Sequence, residues 1–454
     1  MREAPDSASD GTPGRPTFGS SFGTIATLIG VAVGLGNVWR FPYMAGKFGG
    51  ASFVLFYVLV VVLLGIPALM AEYALGRETR RGPVGAFAGA GLPGGRLVGW
   101  FFFFVVSMAT GYYTNVIGWV LYYAAGEIAQ SFGLSWASAA ILPPAAGFDR
   151  RSLVLQMLCT ALVIGACAWV LLKGLRAGIE ATSKIIMPLL YAILIVLIVR
   201  SLTLPGSWAG LEWYILKFDP AALSPAAMVA ALGQAFFSLS LGGTFMVVYG
   251  SYLATGESLR RVATWTALGD TVAGLLAGLA ILPAVFALGL EPASGPGLIF
   301  FTLPKVFAAI PLGGLFGLLF FLALFGAAFL SDVAAFEVLI AGLTDNTRLP
   351  RSRAVGLLAG TVFLAALAPM INMKIFLPWD LTFGSGMQTL GSLLAVVAVA
   401  WCLQRSSALR QLATANPQNS VIRLYYWLRF VIPGGILLVG TWWLLTDVLG
   451  VIKS

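Results

Sequence analysis

The sequence predicts an all-α membrane protein of about eleven transmembrane helices, built as two five-helix inverted repeats whose first and sixth helices are broken. Three observations carry this expectation. Hydrophobic residues make up 59% of the chain and charged ones 10%, with a mean hydropathy of +0.92, a composition foreign to soluble domains. Apolar runs of about 20 residues recur along the whole length. Two of those runs, the first and the sixth, hold glycine, polar and charged residues where an unbroken helix would be expected.

The runs place spans near 22–46, 52–76, 97–129, 152–172, 184–203, 222–252, 259–290, 309–342, 352–371, 381–404 and 424–447. On this reading residues 1–20 form a polar, mobile tail with no cleavable leader, 21–203 the first repeat, and 204–221 an outer segment. Residues 222–404 form the second repeat, and 405–454 an eleventh helix and short tail. Every second loop is rich in arginine and lysine, among them Arg77, Arg80, Arg81, Arg176, Arg260, Arg261, Arg348 and Arg351. Positive-inside bias therefore assigns the N-terminus to the cytoplasm and, with an odd span count, the C-terminus to the outside. The net charge of +9 follows from this topology and calls for no nucleic acid. Cys159, Cys167 and Cys402 all fall inside spans, so no external disulfide and no metal-ligand spacing is available. With no histidine in the chain, hydrolytic triads and histidine metal sites are excluded, and an enzyme loses most of its usual chemistry.

The first run contains Gly30-Val-Ala-Val-Gly-Leu-Gly-Asn-Val-Trp-Arg-Phe-Pro-Tyr43. Glycine in a helix interior costs about 1 kcal/mol and proline about 3, and charge at membrane depth is tolerated only against protein or water. The helix should break near Val33 to Gly36, and the break should line a site. A kinked packing helix is the bland alternative; a dinucleotide loop is a weaker rival still, lacking the third glycine and a preceding strand. The sixth run repeats the anomaly in Gly233-Gln-Ala-Phe-Phe-Ser-Leu-Ser-Leu-Gly-Gly-Thr244. Paired breaks point to a transporter site between half-helices, whose N–H groups suit an anion and whose freed carbonyls suit a cation. Glu72 stands alone in an apolar helix, where it either satisfies donors of an unwound neighbour or ferries protons. Tyr113 shares a face with Ala109 and has two equal candidates for its hydroxyl, an anionic substrate group or a neighbouring carbonyl. Asp270, Ser331 with Asp332, and Asp380 are further intramembrane oxygens, functional by default. Trp208, Trp213 and Tyr214 read as an interfacial aromatic belt.

These residues together resemble the neurotransmitter:sodium symporter family, in particular its bacterial amino-acid transporters of the LeuT type. The run Gly34-Leu-Gly-Asn-Val-Trp-Arg-Phe-Pro-Tyr43 is close to a family signature, and Gly178-Ile-Glu, the 233–242 run and Arg423-Leu-Tyr-Tyr support it. The likeness extends from Arg15 to about Tyr426. It implies the LeuT-type fold and a first sodium site made by the Ala32 carbonyl, Asn37, Ser238, Asp270 and the substrate carboxylate. That carboxylate would also meet the Leu35 and Gly36 amides and the Tyr113 hydroxyl. The amine would meet carbonyls of Ala32, Phe237 and Ser238 and the Ser240 hydroxyl. Gly34 stands where monoamine carriers place an aspartate, which favours an amino acid. Ala109, Phe237, Gly243, Ser331 and Ala335 would line the side-chain pocket, with Phe237 as lid. Several of them are small, so a large hydrophobic or aromatic side chain is expected. Arg40 with Asp380 would form the outer gate, Arg15 with Asp345 the inner one, and Glu72 would hold the unwound sixth helix.

Two departures bear on coupling. The family's second sodium site would use Gly30, Val33, Ala327 and Ser331, but Leu330 occupies its hydroxyl or acid position. Either Asp332 substitutes there after a small helix rotation, or the site is weakened, or Asp332 faces the pocket and accepts a cationic substrate. At the chloride position the chain offers Tyr57, Gln234 and Ser238 but Asp270 and Gly274, so a fixed carboxylate replaces the ion and chloride is not required. The expected function is sodium-coupled uptake of an amino acid through the bacterial inner membrane by alternating access. The alternatives are a basic amino-acid carrier using Asp332 and an uncoupled sensor or channel on the same fold.

Overall fold

The computed structural model describes residues 15–290, 297–413 and 418–448; the expected mobile tail lies outside the described residues as far as residue 14. Among these residues the chain is helical and contains no strand. The first span is two helices, α1 (Ser21–Ala32) and α2 (Gly36–Lys47), bent by 56° at the glycine-rich break. Ser20 caps α1 by accepting from the Gly23 amide, the device expected of serine at a helix start. Long apolar helices follow: α3 (Ala51–Thr79), α4 (Gly95–Ser131), α5 (Arg150–Leu172) and α6 (Leu175–Leu202).

The sixth span is again two pieces, α7 (Pro225–Ser238) and α8 (Phe245–Gly250), separated by an unwound stretch. Then come α9 (Leu259–Ala287), α10 (Gly313–Thr344), α11 (Arg351–Leu367), α12 (Met373–Cys402) and α13 (Asn419–Thr446). Among the described residues, eight helices are individually long and apolar enough to cross a membrane, and the bent α1–α2 pair makes a ninth. The other two expected spans are the broken α7–α8 pair and the 17-residue α11. The tenth span starts at Met373 rather than near residue 381. Lys374, Pro378 and Asp380 hide that first turn from a hydropathy reading.

Packing centres on the two breaks. Helix α1 lies against α6, α9 and α10, while α4 runs along α10, α5 and α11. Helix α8 packs on the second half of α3, and α7 on its first half. The expected aromatic belt is only partly one. Trp208 is exposed, whereas Tyr214 is buried and donates its hydroxyl to the Leu275 carbonyl at 3.3 Å. Six positions, more than one and a half helical turns, separate the exposed residue from the buried one there.

Candidate functional site

A cavity lies between the two breaks, lined by Ala32, Gly34, Gly36, Tyr113, Phe237, Ser238 and Ser240 toward the unwound backbone. Its opposite wall is Ala109, Thr110, Phe245, Ala335 and Gln388. At the first end the Leu35 amide donates to the Tyr113 hydroxyl at 3.1 Å. A glycine at 34 is required by close approach: a Cβ there would stand 2.6 Å from Tyr113 Oη and 2.7 Å from Ser331 Oγ. The second break is held open by strain and by one acid. Ser240 and Thr244 have φ of 51° and 60°, in the left-handed region that non-glycine residues avoid. Glu72 Oε1 accepts from the Gly242 amide at 2.9 Å. Gly242, at φ +91°, touches the Gln388 carbonyl, which a Cβ would meet at 1.7 Å. The Ser240 hydroxyl donates to the Val31 carbonyl at 3.0 Å, tying the two breaks together.

Beside the first break sits a buried polar knot. Asn37 Nδ2 donates to Asp270 Oδ1 at 2.7 Å, to the Asp270 carbonyl at 2.9 Å and to Ser238 Oγ at 2.9 Å. The Ser238 hydroxyl donates to Asp270 Oδ2 at 2.7 Å, and the Gly34 amide to Asn37 Oδ1 at 3.0 Å. Asn37, Ser238 and Asp270 are all fully or almost fully buried, and among the described residues Asp270 forms no ion pair. A carboxylate in that position wants a cation. Amide oxygen, hydroxyl and carboxylate are the hard donors that sodium takes, so this knot fits it.

The expected second cation site is incomplete, because position 330 supplies no oxygen. The Ser331 hydroxyl is turned onto the backbone oxygens themselves, 2.9 Å from the Val33 carbonyl, 3.4 Å from that of Val31 and 3.5 Å from that of Gly30. The Leu330 side chain packs against Gly30, where a Cβ would lie 2.9 Å from Leu330 Cδ1. Asp332 does not fill the gap. One step around α10, its carboxylate accepts from Thr114 Oγ1 at 3.0 Å to both oxygens and from Cys167 at 3.5 Å. It belongs to the α4–α5–α10 packing and lines neither the cavity nor the Gly30–Val33 carbonyls, so neither role the sequence suggested for it matches its position.

Two further corrections concern the pocket. Gly243 does not line it, because the Phe245 ring covers that α-carbon, with Cε2 2.2 Å from where a Cβ would be. Part of the room that glycine leaves is thus taken by a phenylalanine of the chain. Thr110, Tyr112, Phe245 and Gln388 were missed, the last two because a break or wide turns interrupt the helical period before them. For Tyr112 a signal existed in its place next to Tyr113.

Above Phe237 a second cavity holds Trp39, Arg40, Tyr43, Tyr112 and Asp380. The Arg40 guanidinium sits over the Phe237 ring, 4.6 Å from its centre. At the other end of the bundle Arg15 Nη1 meets Asp345 Oδ2 at 2.5 Å, Arg15 Nε donates to Ser251 Oγ at 2.6 Å, and the guanidinium lies 4.9 Å from the Tyr252 ring centre. Asp345 also accepts from the Gly82 amide at 2.5 Å. Tyr252 donates to Glu337 at 2.7 Å, and Arg351 pairs with the same carboxylate at 2.5 Å. The Arg15 end is therefore latched, while the Arg40 end leads by way of Phe237 to the central cavity.

A helical bundle with a central site at two broken helices and a closure at each end is the design of a secondary transporter. Comparison with known proteins agrees. The model of the sodium:neurotransmitter symporter family matches residues 15–145 and 141–445. The chain is 31% identical over 438 residues to the sodium-dependent transporter YhdH of Bacillus subtilis, covering 93% of this chain and 96% of that one. It is 29% identical over 459 residues to the human sodium- and chloride-dependent creatine transporter 1, covering 86% and 72%. Among solved structures it matches MhsT in complex with L-phenylalanine at 33% identity and a TM-score of 0.83, over 94% of this chain and 99% of that one. The protein belongs to the sodium:neurotransmitter symporter family. It is a multi-pass membrane transporter with the LeuT-type fold, a sodium-dependent symporter of a small-molecule substrate and not an enzyme.

Proposed function

We propose that the protein imports large neutral amino acids, hydrophobic or aromatic in side chain, driven by one sodium ion per substrate. The observation that supports this most is the two-ended cavity. One end offers the Leu35 and Gly36 amides and the Tyr113 hydroxyl to a carboxylate, and carbonyls of Ala32, Phe237 and Ser238 to an amine. The other end is walled mainly by Ala109, Phe245 and Ala335. MhsT, similar over nearly its whole length, is described with L-phenylalanine bound.

Sodium would sit among the Ala32 carbonyl, Asn37, Ser238 and Asp270, completed by the substrate's own carboxylate. That shared ligand is the coupling: neither the ion nor the substrate has a full set of partners alone. The fixed charge of Asp270 makes chloride unnecessary. A second sodium is not expected, because Leu330 offers no oxygen beside Gly30 and Ser331 already bonds to Val33. The Arg15 end faces the cytoplasm by the positive-inside rule, and the C-terminus faces outward. A carrier of basic amino acids is less well supported, since Asp332 bonds to Thr114 and Cys167 instead of facing the cavity.

The test is uptake into proteoliposomes of labelled tryptophan, phenylalanine and leucine, with lysine as competitor and with the sodium gradient present or collapsed. Gradient-dependent uptake of the neutral substrates, indifferent to lysine and to replacing chloride by gluconate, is the expected result. Uptake unaffected by collapse of the gradient, or blocked by lysine alone, overturns it.

A further inference from the structure

At the apolar end of the central cavity one side-chain oxygen has no donor among the described residues. Gln388, half-buried on α12, lines the cavity and also the space on the far side of Phe237. Its Nε2 donates to the Phe383 carbonyl at 3.3 Å, which fixes the plane of the amide. Its Oε1 then faces the unwound segment, 3.3 Å from where a Cβ on Gly243 would stand, and among the described residues accepts no hydrogen bond. The other polar groups of that wall are engaged or turned aside. Thr110 Oγ1 donates to the Val106 carbonyl at 2.7 Å, and Ser331 Oγ to that of Val33 at 2.9 Å. The Tyr112 hydroxyl points to Gly384, close to Asp380.

We propose that Gln388 Oε1 selects the substrate side chain by accepting a hydrogen bond from it, so that the preferred substrate is an aromatic amino acid with an N–H on its ring edge, of the indole type. The inference rests on the neutral amino-acid reading above and narrows it. Phe237 and Phe245, which flank the same space, supply faces for a flat ring. An apolar ring without a donor fills the space but strips water from Oε1 and leaves it unbonded, which costs more than the bond itself contributes. Glutamine also reaches the site from a rigid base. Its own carbonyl is wedged against Gly242, whose amide is held by Glu72, so the oxygen is positioned by the same contacts that keep the sixth helix unwound.

The probe is L-3-benzothienylalanine, in which sulfur replaces the indole N–H at nearly the same shape. Wild-type protein is expected to bind tryptophan about tenfold more tightly than this analogue, measured by displacement of labelled leucine in sodium. Gln388→Leu should reverse that order, read as the ratio of the two affinities within the one variant. Equal affinities for tryptophan and the analogue in wild-type protein overturn the inference without any variant being needed. If leucine itself fails to bind in sodium, the underlying amino-acid reading falls instead. A Gln388→Leu protein that still prefers tryptophan also overturns the role of Gln388.

Discussion

Gly34 has a hydrogen where any other residue would carry a carbon, and the anion end of the site depends on it. Tyr113 Oη and Ser331 Oγ approach that position to within 2.7 Å of a Cβ, so Gly34→Ala forces both hydroxyls aside. Overpacking of this kind costs about 1–3 kcal/mol, and here it falls on Ser331 and on Tyr113, the hydroxyl proposed to meet the carboxylate. The expected result is a loss of roughly tenfold to a hundredfold in substrate affinity with the melting temperature nearly unchanged, read by ligand-binding and thermal-shift assays side by side. Asp270 allows a second test at the same scale. Its carboxylate is the one fixed negative charge bonded to both Asn37 and Ser238. Asp270→Ser removes that charge from the proposed sodium site, and a mobile anion can then replace it. Uptake by the variant should become dependent on chloride, while wild-type uptake ignores it; a variant that is dead at every chloride concentration, or equally active without it, counts against the electrostatic role.

The breaks were legible in the sequence because backbone chemistry alone reports them: glycine, serine and asparagine have no business in mid-membrane unless something binds there. Glu72 was legible for the same reason, as an acid that needs donors and finds the Gly242 amide. Direction around a helix was less legible. Asp332 and Ser331 are neighbours in sequence, yet about 100° of rotation separates them, so one faces the Val33 carbonyl and the other faces Thr114. Phe245 was hidden because an unwound stretch precedes it, and Gln388 because the wide turns at 380–386 shift the register of the helix before it. The α1–α10 contact carries its own prediction. A Thr in place of Leu330 supplies the missing oxygen beside Gly30, and Ser331 can then turn from the carbonyls to an ion. Leu330→Thr should raise the Hill coefficient for sodium from about 1 toward 2. It should also steepen accumulation at zero potential from about tenfold to about a hundredfold per tenfold sodium gradient. An unchanged exponent would mean that the wild-type protein already uses two ions or that leucine is not what excludes the second.

For the molecule as a whole, transport needs two states of nearly equal free energy, differing in which end is closed. In the described state the end bearing Arg15 is the one latched, and the latch joins four parts of the chain. Arg15 precedes α1, Ser251 follows α8, and Asp345 follows α10 and also accepts from Gly82 beyond α3. Opening that end must break these bonds together, since one carboxylate serves both the arginine and the Gly82 amide. Arg15 and Asp345 are mostly but not fully buried, with side-chain exposures of 11% and 21%. Loss of a hydrogen bond to a charged group in that setting costs about 1.5–3 kcal/mol, enough to move a two-state equilibrium by roughly tenfold to a hundredfold. The core does not depend on the pair, so Arg15→Ala should leave folding intact and shift the population toward the state open at this end. The reporter is Ala341→Cys, a buried position on the wall of the latched cavity, in a background lacking Cys159, Cys167 and Cys402. The introduced thiol should react with a membrane-impermeant maleimide, added from the Arg15 side, at least tenfold faster when Arg15 is removed. Sodium should slow that reaction in wild-type protein and slow it less in the variant, because the ion favours the closed arrangement that the latch normally completes. Equal labelling rates with and without Arg15 would show that closure at this end is carried by the Glu337–Arg351–Tyr252 cluster instead.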